Sequence, residues 1–126
     1  MRLLLDTHLV LWWLENSKAL GAMARSLIAD PGNTIFVSAV THWEVRLKQS
    51  LGKLKLTGDF KAVMAAEAFE NLPLSAAHTA LIEHLPWHHR DPFSRMLVAQ
   101  AKAENLILLT ADNRLAAYGP WVKLVR

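Results

Sequence analysis

Apolar and polar positions alternate in blocks that predict a repeating order of strand and helix. Residues 2–5 form a short apolar run closed by Asp6-Thr7-His8, the length of a buried parallel strand. Residues 9–14 are apolar on most sides and predict a short buried helix; residues 19–29 set Leu20, Met23, Leu27 and Ile28 at helical spacing before Asp30-Pro31-Gly32-Asn33 ends them. The β-branched and aromatic stretch 34–37 reads as a second strand. Ser38 then can cap a helix over 39–51, stopped by Gly52.

The second half continues the order. Residues 59–70 present Phe60, Val63 and Met64 on one helical face; Leu72-Pro73-Leu74 reads as a short strand, and Ser75 caps a helix to about His84. After a loop over 86–90, Asp91-Pro92 opens a helix to about Glu104, because Asp accepts free backbone N–H groups and Pro is preset at the first position. Residues 106–109 read as a strand, 112–118 as a short helix stopped by Gly119-Pro120, and 121–125 as a last strand. Linkers, repeats and low-complexity tracts are absent, so residues 1–126 are expected to form one domain. The expected architecture is α/β: a central, mostly parallel twisted sheet flanked by helices in three layers.

Composition narrows the chemistry. Of 126 residues, 52% are hydrophobic and 20% charged, which excludes disorder. The absence of cysteine removes disulfides, thiolate metal sites and cysteine nucleophiles. The longest apolar run, 9–14, is far short of the roughly 20 residues of a membrane span, and Asp6 and His8 interrupt any leader-like segment. A cytoplasmic protein with no membrane contact is expected. Fourteen Lys+Arg against 11 Asp+Glu give a net charge of +3. Arg46, Lys48, Lys53, Lys55 and Lys61 form a cluster opposed only by Asp59. Charge alone leaves open whether this cluster attracts a polyanion such as nucleic acid or is a solvated helix face.

In open parallel sheets ligands sit at the carboxyl ends of the strands. Asp6 follows the first strand, Glu44 lies in the first two turns of the helix after the second, Asp91 opens a helix facing the same edge, and Asp112 follows the strand over 106–109. Asp91 and Asp112 also read as simple helix caps, worth about 1 kcal/mol each, and Glu44 as a surface helix residue. Asp6 abuts three leucines, and burying it without a partner costs several kcal/mol, so it needs a metal, a basic partner or a set of backbone donors. Crowded carboxylates call for a divalent cation, and oxygen ligands without cysteine suit Mg²⁺ or Mn²⁺. An ion so held beside basic residues suits phosphodiester hydrolysis, with no covalent nucleophile. His84, His88 and His89 read as loop residues without metal-ligand spacing; Trp12, Trp13 and Trp43 read as core or interface rather than base-stacking groups. No strand is followed by a Gly-rich phosphate loop.

Leu3-Leu4-Leu5-Asp6-Thr7-His8 followed by Leu11-Trp12-Trp13-Leu14 resembles the opening of PIN-domain proteins of the VapC toxin type. Ser38-Ala39-Val40-Thr41-His42-Trp43-Glu44, His89-Arg90-Asp91-Pro92-Phe93-Ser94-Arg95 and Leu109-Thr110-Ala111-Asp112 agree in order and spacing, as do the Gly52-Lys53-Leu54 turn and Tyr118-Gly119. The resemblance implies a PIN fold, a Mg²⁺- or Mn²⁺-dependent endoribonuclease, a homodimer and a VapB-type antitoxin partner. It implies that Asp6, Glu44 and Asp112 hold the metal and that Thr110 helps order the site; Asp91, one helical turn before position 94, is expected in an auxiliary role, with Thr7 and Ser94 supporting. Lys48, Lys53, Lys55 and Arg95 are the expected contacts to RNA phosphates or to the partner's acids.

One position departs from the pattern. This branch usually reads Asp-Pro-Phe-Asp-Arg, and Ser94 stands where the second acid is expected. A neutral hydroxyl there removes one negative charge, which keeps a second reading open: a catalytically weak or inert PIN domain that binds RNA or a protein. A phosphatase using Asp6 as nucleophile is disfavoured, because Thr7-His8 follows where a general-acid Asp is expected.

Overall fold

The computed structural model describes residues 1–125. Five strands, β1 (Arg2–Leu5), β2 (Thr34–Ser38), β3 (Glu70–Leu72), β4 (Ile107–Thr110) and β5 (Val122–Leu124), form one sheet in the order β3-β2-β1-β4-β5. Every pairing is parallel, so the sheet expected to be mostly parallel is wholly so. Both faces of β1 are covered, which is why it reads as an unbroken leucine run rather than an alternation. Leu3 and Leu5 point to one layer with Ile35, Val37 and Leu109; Leu4 points to the other with Leu108, Leu97 and Val98.

Helices α1 (Thr7–Leu14), α2 (Ala22–Ala29) and α4 (Phe60–Ala65) build the first layer. The second is built chiefly by α6 (Pro92–Glu104), with α5 (Ala76–Leu81) beside it and Val40 of α3 (Ala39–Ser50) reaching into it. Short 3-10 turns cover Ile82–His84 and Asn113–Tyr118. Among the described residues no helix is long and apolar enough to cross a membrane.

Several boundaries differ from expectation, each for a local reason. Helix α1 begins at Thr7, not residue 9, because the Asp6 carboxylate accepts the Thr7 amide and caps the helix. Helix α2 begins three residues late: the Ser17 hydroxyl accepts the Ala19 amide and holds a turn, leaving Gly21 as the helix cap. The helix expected over 59–70 stops at Ala65, and Glu70–Leu72 instead pairs with Phe36, Val37 and Ser38. Pro73 lacks the N–H needed to extend that strand, so the strand expected at 72–74 ends where it was to begin. Gly52, at φ +72°, supplies the left-handed residue after α3.

The strand order reverses direction at β1, with β2 on one side and β4 on the other. A crevice therefore opens past the carboxyl ends of β1 and β4, the place where parallel sheets bind ligands.

Candidate metal centre at the carboxyl edge of the sheet

Asp6 continues β1 by one residue, its amide donating to the Leu109 carbonyl of β4 at 3.0 Å. Its side chain is buried at the head of α1. Oδ1 accepts the Thr7 amide at 2.8 Å, and Oδ2 accepts the Thr110 hydroxyl at 2.6 Å. Both donors are neutral, and among the described residues no cationic side chain is paired with it. Burial therefore pushes the Asp6 carboxyl above its ordinary value, with the charge of Glu44 adding to the rise, while Thr110, His8 and Thr7 oppose it.

Glu44 comes from α3, whose start is fixed by Ser38: the hydroxyl accepts the Val40 amide and donates to Gln100 in α6. One turn before Glu44, Thr41 meets Thr7 hydroxyl to hydroxyl at 3.0 Å, seating α3 against α1. Glu44 is buried, and its Oε2 receives Lys48 Nζ at 2.5 Å across one helical turn. His8 and Trp12 line both of two adjoining clefts. One, of about 270 Å³, is lined by Asp6, His8, Trp12, Ala111 and Asp112. The other, of about 290 Å³, holds Glu44, Lys48 and Lys53.

Asp112 lies two residues past β4, and Thr110 places it: the hydroxyl that donates to Asp6 also accepts the Asp112 amide at 3.0 Å. Four donors fill its carboxylate. Oδ1 accepts the Arg114 amide at 3.0 Å and Nε at 3.1 Å; Oδ2 accepts Arg114 Nη2 at 3.0 Å and His89 Nε2 at 2.8 Å. Burial works to raise this carboxyl, but the hydrogen bonds from Arg114 and His89 outweigh it and bring it down to about 2.

The PIN-domain family model matches residues 3–119. The chain belongs to the PIN-domain family. Comparison with curated proteins finds no match. Solved structures share the fold over nearly their whole length. VapBC2 from Rickettsia felis, bound to a DNA fragment from its promoter, aligns with TM-score 0.72 at 19% identity over 99% of this chain and 98% of that one. A toxin–antitoxin complex from Klebsiella pneumoniae aligns with TM-score 0.63 at 19% identity over 95% and 94%. FitAcB from Neisseria gonorrhoeae gives TM-score 0.64 at 22% identity over 95% of each chain.

The residues of this PIN domain fit an oxygen-seeking divalent cation in kind. The donors are carboxylates, and Asp6 is a buried carboxylate without a cationic partner beside a second acid. As they stand, no three His, Asp or Glu side chains converge on one point among the described residues. Glu44 and Asp112 instead turn to cations of the chain itself, Lys48 and Arg114. Asp91 caps α6, its Oδ2 accepting both the Ser94 amide at 3.1 Å and the Ser94 hydroxyl at 2.7 Å.

One expectation gains a role and another needs correcting. His89 is more than a loop residue of the PIN domain. Its Nδ1 accepts the Asp91 amide at 3.0 Å, which leaves the ring proton on Nε2 to hold Asp112. Arg95 is not a surface phosphate contact. It is buried beneath Trp87, 3.8 Å from the ring centre, and donates to the carbonyls of Pro86, Ile82 and Leu85 and to the Tyr118 hydroxyl. Sequence reasoning passed over Arg114. Its signal was a cation in the first turn of a helix, where the dipole disfavours it unless an acid is at hand. Lys48 and Lys53 line the Glu44 cleft, whereas Lys55 borders a separate groove with Leu14, Glu15 and Phe60.

Proposed function

We propose that this PIN domain is a metal-dependent endoribonuclease, the toxin of a two-protein toxin–antitoxin system. The observation that carries the reading is the buried Asp6 carboxylate at the carboxyl edge of a PIN sheet, beside Glu44 and lacking a cationic partner. Asp6, Glu44 and Asp112 would hold Mg²⁺ or Mn²⁺, with Asp91 in an auxiliary place. A bound divalent cation supplies a water of lowered pKa and neutralises charge developing on the phosphate. The chain's own residues do the rest: Thr110 orients Asp6, His89 orients Asp112, and Lys48 and Lys53 attract the RNA backbone.

One fold neighbour, from Klebsiella pneumoniae, is a toxin–antitoxin complex by name, and this supports an antitoxin protein as the second partner. A homodimer acting in the cytoplasm belongs to the same reading. Labelled total RNA incubated with the protein and Mn²⁺, with an EDTA control, tests it. Cleavage that EDTA abolishes is the expected result; intact RNA with both the wild type and Ser94→Asp would overturn it.

One observation favours a second reading, a PIN domain that binds RNA or a protein without cleaving. Ser94 stands where the resemblance leads one to expect an acid, and its hydroxyl is spent on Asp91, so the negative charge there is lower than the resemblance implies. On that reading RNA binds with a clear salt dependence and stays intact in Mn²⁺.

A further inference from the structure

The partners of Asp112 divide into one that is built in and one that can leave. His89 is buried, its tautomer fixed by the Asp91 amide, and it contacts Oδ2 only. Arg114 spans both oxygens through Nε and Nη2, yet its side chain is 68% exposed and reaches Asp112 from only two residues away. Nothing but Asp112 receives its side-chain hydrogen bonds among the described residues. Most of the side chain already faces solvent, and releasing it leaves Asp112 still held by His89. The guanidinium would then swing on a flexible stem at the rim of the cleft that Asp6, His8 and Asp112 line.

A guanidinium across both carboxylate oxygens occupies the position and supplies the charge that a cation ligated by Asp112 would take. The two cannot share those lone pairs. Once freed, the same planar fork matches a phosphodiester, which presents two oxygens at similar spacing.

We propose that Arg114 is a built-in counter-ion that a divalent cation displaces from Asp112, and that the displaced guanidinium then binds an RNA phosphate. His89 keeps Asp112 aimed at the cleft throughout the exchange. The inference rests on the metal-dependent reading above and deepens it, because metal occupancy and RNA binding become coupled through one side chain. Arg114 takes the place that sequence reasoning gave to Arg95. It is a positioning residue with respect to Asp112 and a substrate contact with respect to the phosphate.

The test uses the full chain as wild type, Arg114→Ala and Arg114→Lys. Mn²⁺ affinity is read from the electron paramagnetic resonance signal of free Mn²⁺, without RNA. Binding of a labelled single-stranded RNA is then read by fluorescence anisotropy across a salt series, with Ca²⁺ replacing Mn²⁺. Arg114→Ala should bind Mn²⁺ about fivefold more tightly, the scale of an exposed ion pair removed from competition. It should bind RNA more weakly, with a salt slope reduced by about one. Arg114→Lys should restore the slope, because it keeps the charge, and should bind Mn²⁺ with intermediate affinity, because it loses the fork.

Equal Mn²⁺ affinity in wild type and Arg114→Ala would overturn the displacement, and an unchanged salt slope would overturn the phosphate contact. Absence of Mn²⁺ binding in all three would overturn the metal site itself and the exchange with it. An exposed local pair contributes at most about 1 kcal/mol to folding, so the melting temperatures should differ by no more than about 3–5 °C and all three proteins should be folded.

Discussion

Thr110 donates its hydroxyl proton to Asp6 across 2.6 Å, joining the ends of two parallel strands that are neighbours in the sheet and 104 positions apart in the chain. The same oxygen accepts the Asp112 amide, so one buried hydroxyl fixes two acids of the cleft.

Replacing Thr110 by Val keeps the shape and removes both bonds. Stability should fall by about 1–2 kcal/mol, because a buried acceptor and a backbone donor lose their partner. RNA cleavage should fall at least tenfold. Thr110→Ser should recover most of both. Urea denaturation and cleavage rates on the three proteins check this, and full activity in Thr110→Val would show that Asp6 needs no such positioning.

Asp6 and Asp112 should respond to pH with opposite signs. Burial holds the Asp6 carboxyl above 3.8, so the folded protein binds that proton more tightly than the unfolded chain. Its charge therefore subtracts stability as pH rises from 3.8 through the raised folded value. Asp6→Asn at pH 7 in EDTA should melt at or above the wild type, while losing cleavage and any Mn²⁺-induced rise in Tm. Asp112, held at about 2, contributes stability present above pH 4 and lost as pH falls toward 2. The gap between wild type and Asp112→Asn should accordingly close across that interval in acid-unfolding curves.

Arg95→Ala should cost about 3 kcal/mol, since three carbonyls and the Tyr118 hydroxyl lose a buried charged donor. The loop carrying Trp87 and His89 should gain amide hydrogen exchange. The salt slope of RNA binding should not change. A stable Arg95→Ala protein with a lowered slope would return Arg95 to the nucleic-acid surface.

Ser94→Asp sets a carboxylate where the serine hydroxyl now donates to Asp91 at 2.7 Å. Like charges at that spacing should destabilise the metal-free protein by about 1 kcal/mol, or about 3–5 °C in Tm. Mn²⁺ should raise the Tm of this variant more than that of the wild type. Thermal melts with and without Mn²⁺ decide it; equal metal-induced shifts would mean that position 94 does not reach the cation.

By itself the sequence determined the layered, parallel α/β architecture. Blocks of apolar residues such as Leu3-Leu4-Leu5 need both sheet faces covered, and caps such as Ser38 and Asp91 act on amides within three residues. It also singled out Asp6, Glu44, Asp91 and Asp112, because an acid next to an apolar strand or at the head of a helix is conspicuous in one dimension. Tertiary structure alone decided what each side chain faces. Arg95 and Arg114 are equally charged in the sequence. One is surrounded by the carbonyls of a folded-back loop and is spent on stability, while the other stays at the cleft rim beside Asp112. The extent of β3 depended on β2 lying alongside, and the role of His89 on Asp112 arriving from 23 residues away. Periodicity and capping act through near neighbours along the chain, whereas the partner of a buried polar group is chosen by which distant segments the core brings together.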